Sequence, residues 1–559
     1  MPTPGGAYGR SLADMRDPNE STPHKLWPAE EKLLQSVARG EKLPPAPRPV
    51  PGQSEDKRVR GSFIRFLALG GDEEAAVHER GVEVVGAFIE GPLHLEGAVG
   101  VRPLVLTSCW FDTELNFSHA SVRQIVLSGS RVPSINATGL KVEGDLRLDK
   151  EFLADGLVSL ERAQIGGELN CSGGNFHNST KGGYALNAEY ARITGNVYLS
   201  GGFSSIGQVR LLGLAVGADL HCWEGRFRNA CPDPIEKIYT SDALDLTNAR
   251  ISGGLLFGPL TYHDVRRKAP IFEGSLSFQQ AHARFLADDV TAWPQRKQKC
   301  ENGDVTTNCI ELDGFIYDTF AGLLLSVDAP TRLQWLERQR TIYLRKNFRP
   351  QPYEQLTKVL RAMGHDEDAR IIAIQKQRRL HSALARRARL SKPLVWAKRA
   401  TFGFLTAYGY RPFRLFSLLF ILWLAAALFY LKAGQEGIFA PSEPQVFLAE
   451  HLEPCRPPNS SWTACLADIT RGASPKSDLR RELQEYPPFN PFMYSLDVMI
   501  PFMDLHQRRA WAPMVKEMPI AGVRLHEWVP LAIVWAQALL GWSGALLLGA
   551  VLSGLVKRD

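Results

Sequence analysis

The sequence is short of almost every feature that announces chemistry. Eight Cys in 559 residues exclude a disulfide-dense secreted scaffold. No Gly-x-Gly-x-x-Gly opens a helix after a strand, and no Walker A, Cys-x-x-Cys, His-Glu-x-x-His or Gly-x-Ser-x-Gly motif occurs. Rossmann, P-loop, thiol-redox, zinc-protease and esterase chemistry therefore have no motif to act through. The His residues are scattered, and His94 and His221 fall at solvent-facing strand parity, so no catalytic, cofactor-binding or metal-binding residue is expected. Neither sign of charge dominates: 65 Lys and Arg against 59 Asp and Glu give +6. The first forty residues hold no apolar h-region, so no cleavable signal peptide is expected.

What is present is uneven. Residues 1–60 are rich in Pro, Gly and charge and read as a flexible tail, with Leu43-Pro44-Pro45-Ala46-Pro47-Arg48-Pro49-Val50-Pro51 as a polyproline-type linker. Within it, Trp27 to Val37 carries helical periodicity.

From about residue 80 one frame recurs: apolar, x, small, x, apolar, x, apolar. It appears as Ile89-Gly91-Leu93-Leu95, Phe111-Thr113-Leu115-Phe117, Val142-Gly144-Leu146-Leu148 and Ile165-Gly167-Leu169-Cys171. It returns as Ile193-Gly195-Val197-Leu199, Val216-Ala218-Leu220-Cys222, Ile251-Gly253-Leu255-Phe257 and Phe272-Gly274-Leu276-Phe278. Alternation puts one set of side chains inside, and a single short strand cannot bury that set alone. Stacked rungs can, with the small residue at a cramped interior position. The frame predicts a parallel β-solenoid with an N-terminal cap over 61–285, its long intervals being one unit plus an inserted loop. The expected class is mainly β. Residues 286–328 read as an irregular stretch containing Cys300 and Cys309, expected as free thiols. Helices are expected over 330–340, 353–364 and from 369, forming with the basic residues that follow a linker over 329–400.

The membrane signal lies in 401–559. Leu415 to Leu431 holds 17 uncharged residues and Trp528 to Val556 holds 29, so both are expected to span a bilayer. Eleven Lys and Arg with no acid between Lys376 and Arg414, and Lys557-Arg558 at the end, predict cytoplasmic termini and an outer segment 433–527. There a Cys455–Cys465 disulfide is permitted. Arg378, Arg379, Arg386, Arg387, Arg389, Lys392, Lys398 and Arg399 beside the first span suit anionic lipid headgroups. Pro487 to Gln507 is apolar, too short to span, and carries Asp497 and Asp504. It reads either as an amphipathic helix at the outer interface or as a re-entrant pore element; as one helix it would put both Asp on one face, a possible pore or subunit contact.

The Ala185-Leu186-Asn187-Ala188 and Ala243-Leu244-Asp245-Leu246 segments resemble pentapeptide-repeat proteins. Ala163 to Cys171, Tyr353 to His365, Tyr408-Gly409-Tyr410-Arg411-Pro412, and Asn490 to Asp497 with Asp504-Leu505-His506-Gln507 make the chain similar to bacterial membrane proteins labelled "membrane-associated oxidoreductase". The resemblance implies a multi-pass protein of the bacterial inner membrane with a repeat domain, and an oxidoreductase by label; it carries over no catalytic residue. Three functions follow as expectations: a membrane-tethered cytoplasmic scaffold or sensor, a two-helix channel-like assembly gated by the solenoid, or an oxidoreductase. The partners expected are lipids, a protein bound by the solenoid surface and a second copy, with no nucleic acid and no cofactor.

Overall fold

The computed structural model describes residues 11–15, 26–49, 55–178, 183–229, 242–258, 268–294, 297–299, 305–307, 309–322, 326–345, 347–387, 412–448, 452, 455, 461–472, 486–500, 502–515, 518–520 and 523–553. The chain forms two compact units, one ending at Ala383 and one beginning at Leu384.

In the first unit the chain passes repeatedly through three parallel sheets of nine, nine and fifteen strands. Each strand pairs with the strand one circuit later: Ile89 with Phe111 in the first sheet, Leu115 with Ile135 in the second, Ile125 with Leu146 in the third. Leu115, Phe117, Ala120, Val122, Ile125, Leu127, Ser130, Val132, Ile135, Ala137, Leu140 and Val142 are all buried, two inward positions in every five. Twenty positions therefore return the chain to the same sheet, as the Leu115–Ile135 pairing requires.

This period corrects the sequence frame, which had merged two different turns. Its copies at Ile89, Phe111 and Phe272 run from the first sheet into the second, whereas those at Val142, Ile165, Ile193, Val216 and Ile251 lie within the third. The long step from Phe111 to Val142 is a change of sheet, and the strands at Val122 and Val132 fill it. The small position is also not interior. Gly144, Gly167 and Gly195 are half-buried at a turn, where a Cβ on Gly195 would lie 2.8 Å from the Gly167 carbonyl oxygen of the preceding circuit.

The corners have their own local cause. Asn116, Asn136, Asn187 and Asp245 each accept a hydrogen bond from the backbone N–H two positions on, at 3.0–3.3 Å. These Asx turns lead into left-handed residues at the same corner of four circuits: His119, Gly139, Tyr190 and Asn248.

Three domain expectations change. The tail contains a helix at Pro28–Arg39 and a strand at Arg58–Arg60, with the fully buried Glu30 carboxylate held 2.6 Å from the Arg60 guanidinium. The irregular stretch contains strands Ile310–Glu311 and Ile316–Phe320, which extend the second and third sheets. Cys309 is buried there, and Cys300 lies outside the described residues. Nor is the chain mainly β: among the described residues 34% are helix against 25% strand. Many strands are only two residues long, because each side of a circuit holds only about one inward pair, and most of the helical residues follow afterwards.

Those helices are Ala329–Glu337, Gln351–Ala362 and Asp366–Arg387. They close the end of the sheets. Arg332, 1% exposed, grips the Asp288 carboxylate through two nitrogens at 2.8 and 2.9 Å, and Gln351 accepts from the Gly314 N–H at 2.8 Å. A buried guanidinium is tolerable only when paired in this way.

In the second unit, helices Pro412–Gln435 and Val529–Leu552 are long and apolar enough to cross a membrane. Between them in sequence, Phe439–Pro441 pairs antiparallel with Trp511–Pro513, a helix spans Trp462–Gly472, and Cys455 is joined to Cys465. A short helix, Pro491–Met499, packs against both long helices.

Candidate functional site

The short helix is set by local chemistry. The Asn490 side chain accepts from the N–H groups of Phe492 and Met493 at 3.1 and 3.2 Å, and Pro491 occupies the first turn, where no donor is needed. The helix stops at Met499, two residues before Pro501 in the sequence.

Its packing supplies the site. The Tyr430 hydroxyl donates to the Gln537 side-chain oxygen at 2.7 Å. The Gln537 amide donates to the Ser495 hydroxyl and carbonyl oxygens at 2.7 and 3.0 Å. Ser495 in turn donates to the Trp423 carbonyl at 2.9 Å, and the Trp423 indole donates to the Phe492 carbonyl at 3.1 Å. Tyr430, Ser495 and Gln537 are all buried. One continuous polar bridge thus ties three helices within an apolar setting, where an unpaired amide would be costly. At Gly541 the fit is close: a Cβ there would stand 2.6 Å from the Met499 carbonyl oxygen.

The sequence reading of 487–507 changes accordingly. Residues 491–499 are packed against Trp423, Tyr430, Gln537 and Gly541, inside the lengths of the apolar helices and not beyond their ends. Asp497 is 4% exposed, and its two oxygens accept from the N–H groups of Leu505 at 3.2 Å and Arg508 at 2.8 Å. It folds the following segment back along the helix. Asp504 lies on that returning segment, exposed, 2.9 Å from Arg509. The two carboxylates share no helical face because the helix ends between them.

Gln537 is the residue that sequence reasoning missed. It is the lone side-chain amide in the uncharged run from Trp528 to Val556, and that isolation was the available signal.

The other expected residues are placed as follows. Arg378 is exposed on the helix Asp366–Arg387, whereas Arg379 is engaged by Glu337. Arg386 and Arg387 end that helix, and Arg389, Lys392, Lys398 and Arg399 lie outside the described residues. His94 is exposed as expected, but His221 is covered by Tyr198, stacked at 4.7 Å, and by Trp223. Cys171 and Cys222 are buried, and burial pushes both thiols upward in pKa.

No family model, curated protein or solved structure matches the chain.

Proposed function

We propose that the protein is a membrane-anchored scaffold: a cytoplasmic β-solenoid, built in the manner of pentapeptide repeats, tethered to a bacterial inner membrane by two spanning helices. The observation that carries the anchor is apolar exposure. Phe413, Phe416, Ile421, Trp535, Leu539 and Leu546 are 59–81% exposed around two helices of 24 residues each. A continuous apolar surface of this kind is satisfied by lipid and not by water.

The Cys455–Cys465 disulfide supports an outer location for the intervening segment, because such bonds persist in oxidising compartments. With the basic run 376–414 on the opposite side, both termini fall in the cytoplasm. The solenoid reading is supported by the five-residue burial period and the circuit-to-circuit pairing, which stack polar side chains such as Asn116, Asn136 and Ser159 in rows. Rows of that kind suit a protein partner. Photo-crosslinking residues at positions 116 and 136 of the membrane-bound chain should yield a discrete heavier adduct. Adducts only with solvent or lipid would remove the scaffold reading.

A second reading, a channel-like assembly of several copies, is favoured by one feature: the short helix enters between the long helices and the chain returns on itself at Asp497. Liposomes containing the full chain that pass no ions would dispose of it.

A further inference from the structure

The arginines of the first two sheets are mostly neutralised. Arg131 pairs with Asp155, Arg228 with Glu273 and Arg210 with Glu189. One edge of the third sheet differs. Parallel pairing there sets Lys141 beside Gln164, Gln164 beside Arg192, Arg192 beside Ala215, Ala215 beside Arg250 and Arg250 beside His282. Lys141, Arg192, Arg250 and His282 are exposed in this column, and exposed Arg284 follows one outward position along the strand. None of the ion pairs among the described residues involves Lys141, Arg192, Arg250 or Arg284. The acids beside the column are Glu143, 3.8 Å from Arg123, and the exposed Asp318.

We propose that this edge is a docking surface for anionic phospholipid headgroups, which lays the repeat domain against the bilayer. The inference rests on the membrane-anchored reading above. Five strand-to-strand steps of about 4.8 Å make the column about 24 Å long, and cross-strand register keeps it straight. A straight row of long cationic side chains can meet a planar anionic surface along its whole length. Each Lys or Arg that reaches such a surface adds attraction that salt removes within a Debye length. Tethering by the spanning helices holds the edge at high local concentration near that surface, so a few cations suffice. An acidic protein would also attract them, but planarity and tethering favour the lipid.

The test uses the full chain in nanodiscs of phosphatidylcholine alone or with phosphatidylglycerol added, with a donor fluorophore at position 252 and acceptors on the headgroups. Energy transfer should be several-fold stronger with phosphatidylglycerol and should fall in high salt. The triple change Arg192→Glu, Arg250→Glu and Arg284→Glu should abolish the difference, and Asp318→Lys, which adds a cation, should enlarge it. Equal transfer in both lipids, or no response to either variant, overturns the proposal. Capture of an acidic protein by the native chain and not by the triple variant, without lipid-dependent transfer, assigns the edge to a protein instead and also overturns it. If the chain does not enter nanodiscs at all, the anchor reading fails. Flotation of that same chain with phosphatidylglycerol vesicles, lost in the triple variant, would still uphold the edge, and no flotation would overturn it.

Discussion

Tyr430 and Gln537, 107 positions apart in sequence, meet through a 2.7 Å hydrogen bond between the two long apolar helices. Because Gln537 also donates twice to Ser495, it is the joint of the three-helix arrangement. Replacing it with Leu keeps the volume, takes the acceptor from the Tyr430 hydroxyl and removes the donor to Ser495, whose hydroxyl still donates to the Trp423 carbonyl. Resistance to unfolding in mixed detergent micelles should fall by about 1 kcal/mol, the usual size of an interhelical hydrogen bond in an apolar medium. Unchanged resistance would mean that the bridge contributes nothing.

Asp497→Ala removes a buried acceptor from two backbone N–H groups. The cost should be about 2 kcal/mol, as for hydrogen bonds to a charged group. Trypsin in mild detergent should then cut after Arg508 or Arg509 much faster than in the native protein. Asp504→Ala, which loses an exposed ion pair with Arg509 and an exposed hydrogen bond from the His506 N–H, should change the cleavage rate far less. Equal effects of the two substitutions would contradict the assigned roles.

These two Asp residues also show where sequence reading reached its limit. Apolar length and flanking charge were enough to locate both long helices, and the repeat was visible as alternation. The number of sides in a circuit was not, because two turns share the same apolar–small–apolar spelling while belonging to different sheets. Spacing of seven placed Asp497 and Asp504 on one face only for an unbroken helix. A return of the chain, fixed by tertiary hydrogen bonds to Leu505 and Arg508, has no periodic signature. Likewise Glu30, in a stretch rich in Pro and charge, reads as solvated until Arg60 is brought against it.

Leu169→Asp or Leu220→Asp places a carboxylate among stacked circuits, since both side chains are fully buried and pair with their neighbours above and below. The penalty should reach several kcal/mol and unfold the repeat domain. Circular dichroism melts unchanged by either substitution would refute the inward register.

Burial pushes the Cys109 thiol up to about 12 from an ordinary 9.0. Above its unfolded value the unfolded chain releases this proton while the folded chain keeps it, so folding binds more protons. Stability should therefore be fully present below about pH 9 and decline as pH rises from there toward about 12. Denaturant midpoints for the native protein and Cys109→Ala should differ in slope over that range. Parallel curves would show that the thiol is not protected.

The central claim, a membrane anchor with the repeat domain on the cytoplasmic side, is tested most directly by thiol labelling in intact cells. Ser442 is exposed beside the Phe439–Pro441 strand, and Ser252 is exposed on the third sheet. An impermeant maleimide should label Ser442→Cys in intact cells and Ser252→Cys only after the membrane is opened. Labelling of Ser252→Cys in intact cells, or of neither position until permeabilisation, would contradict the account.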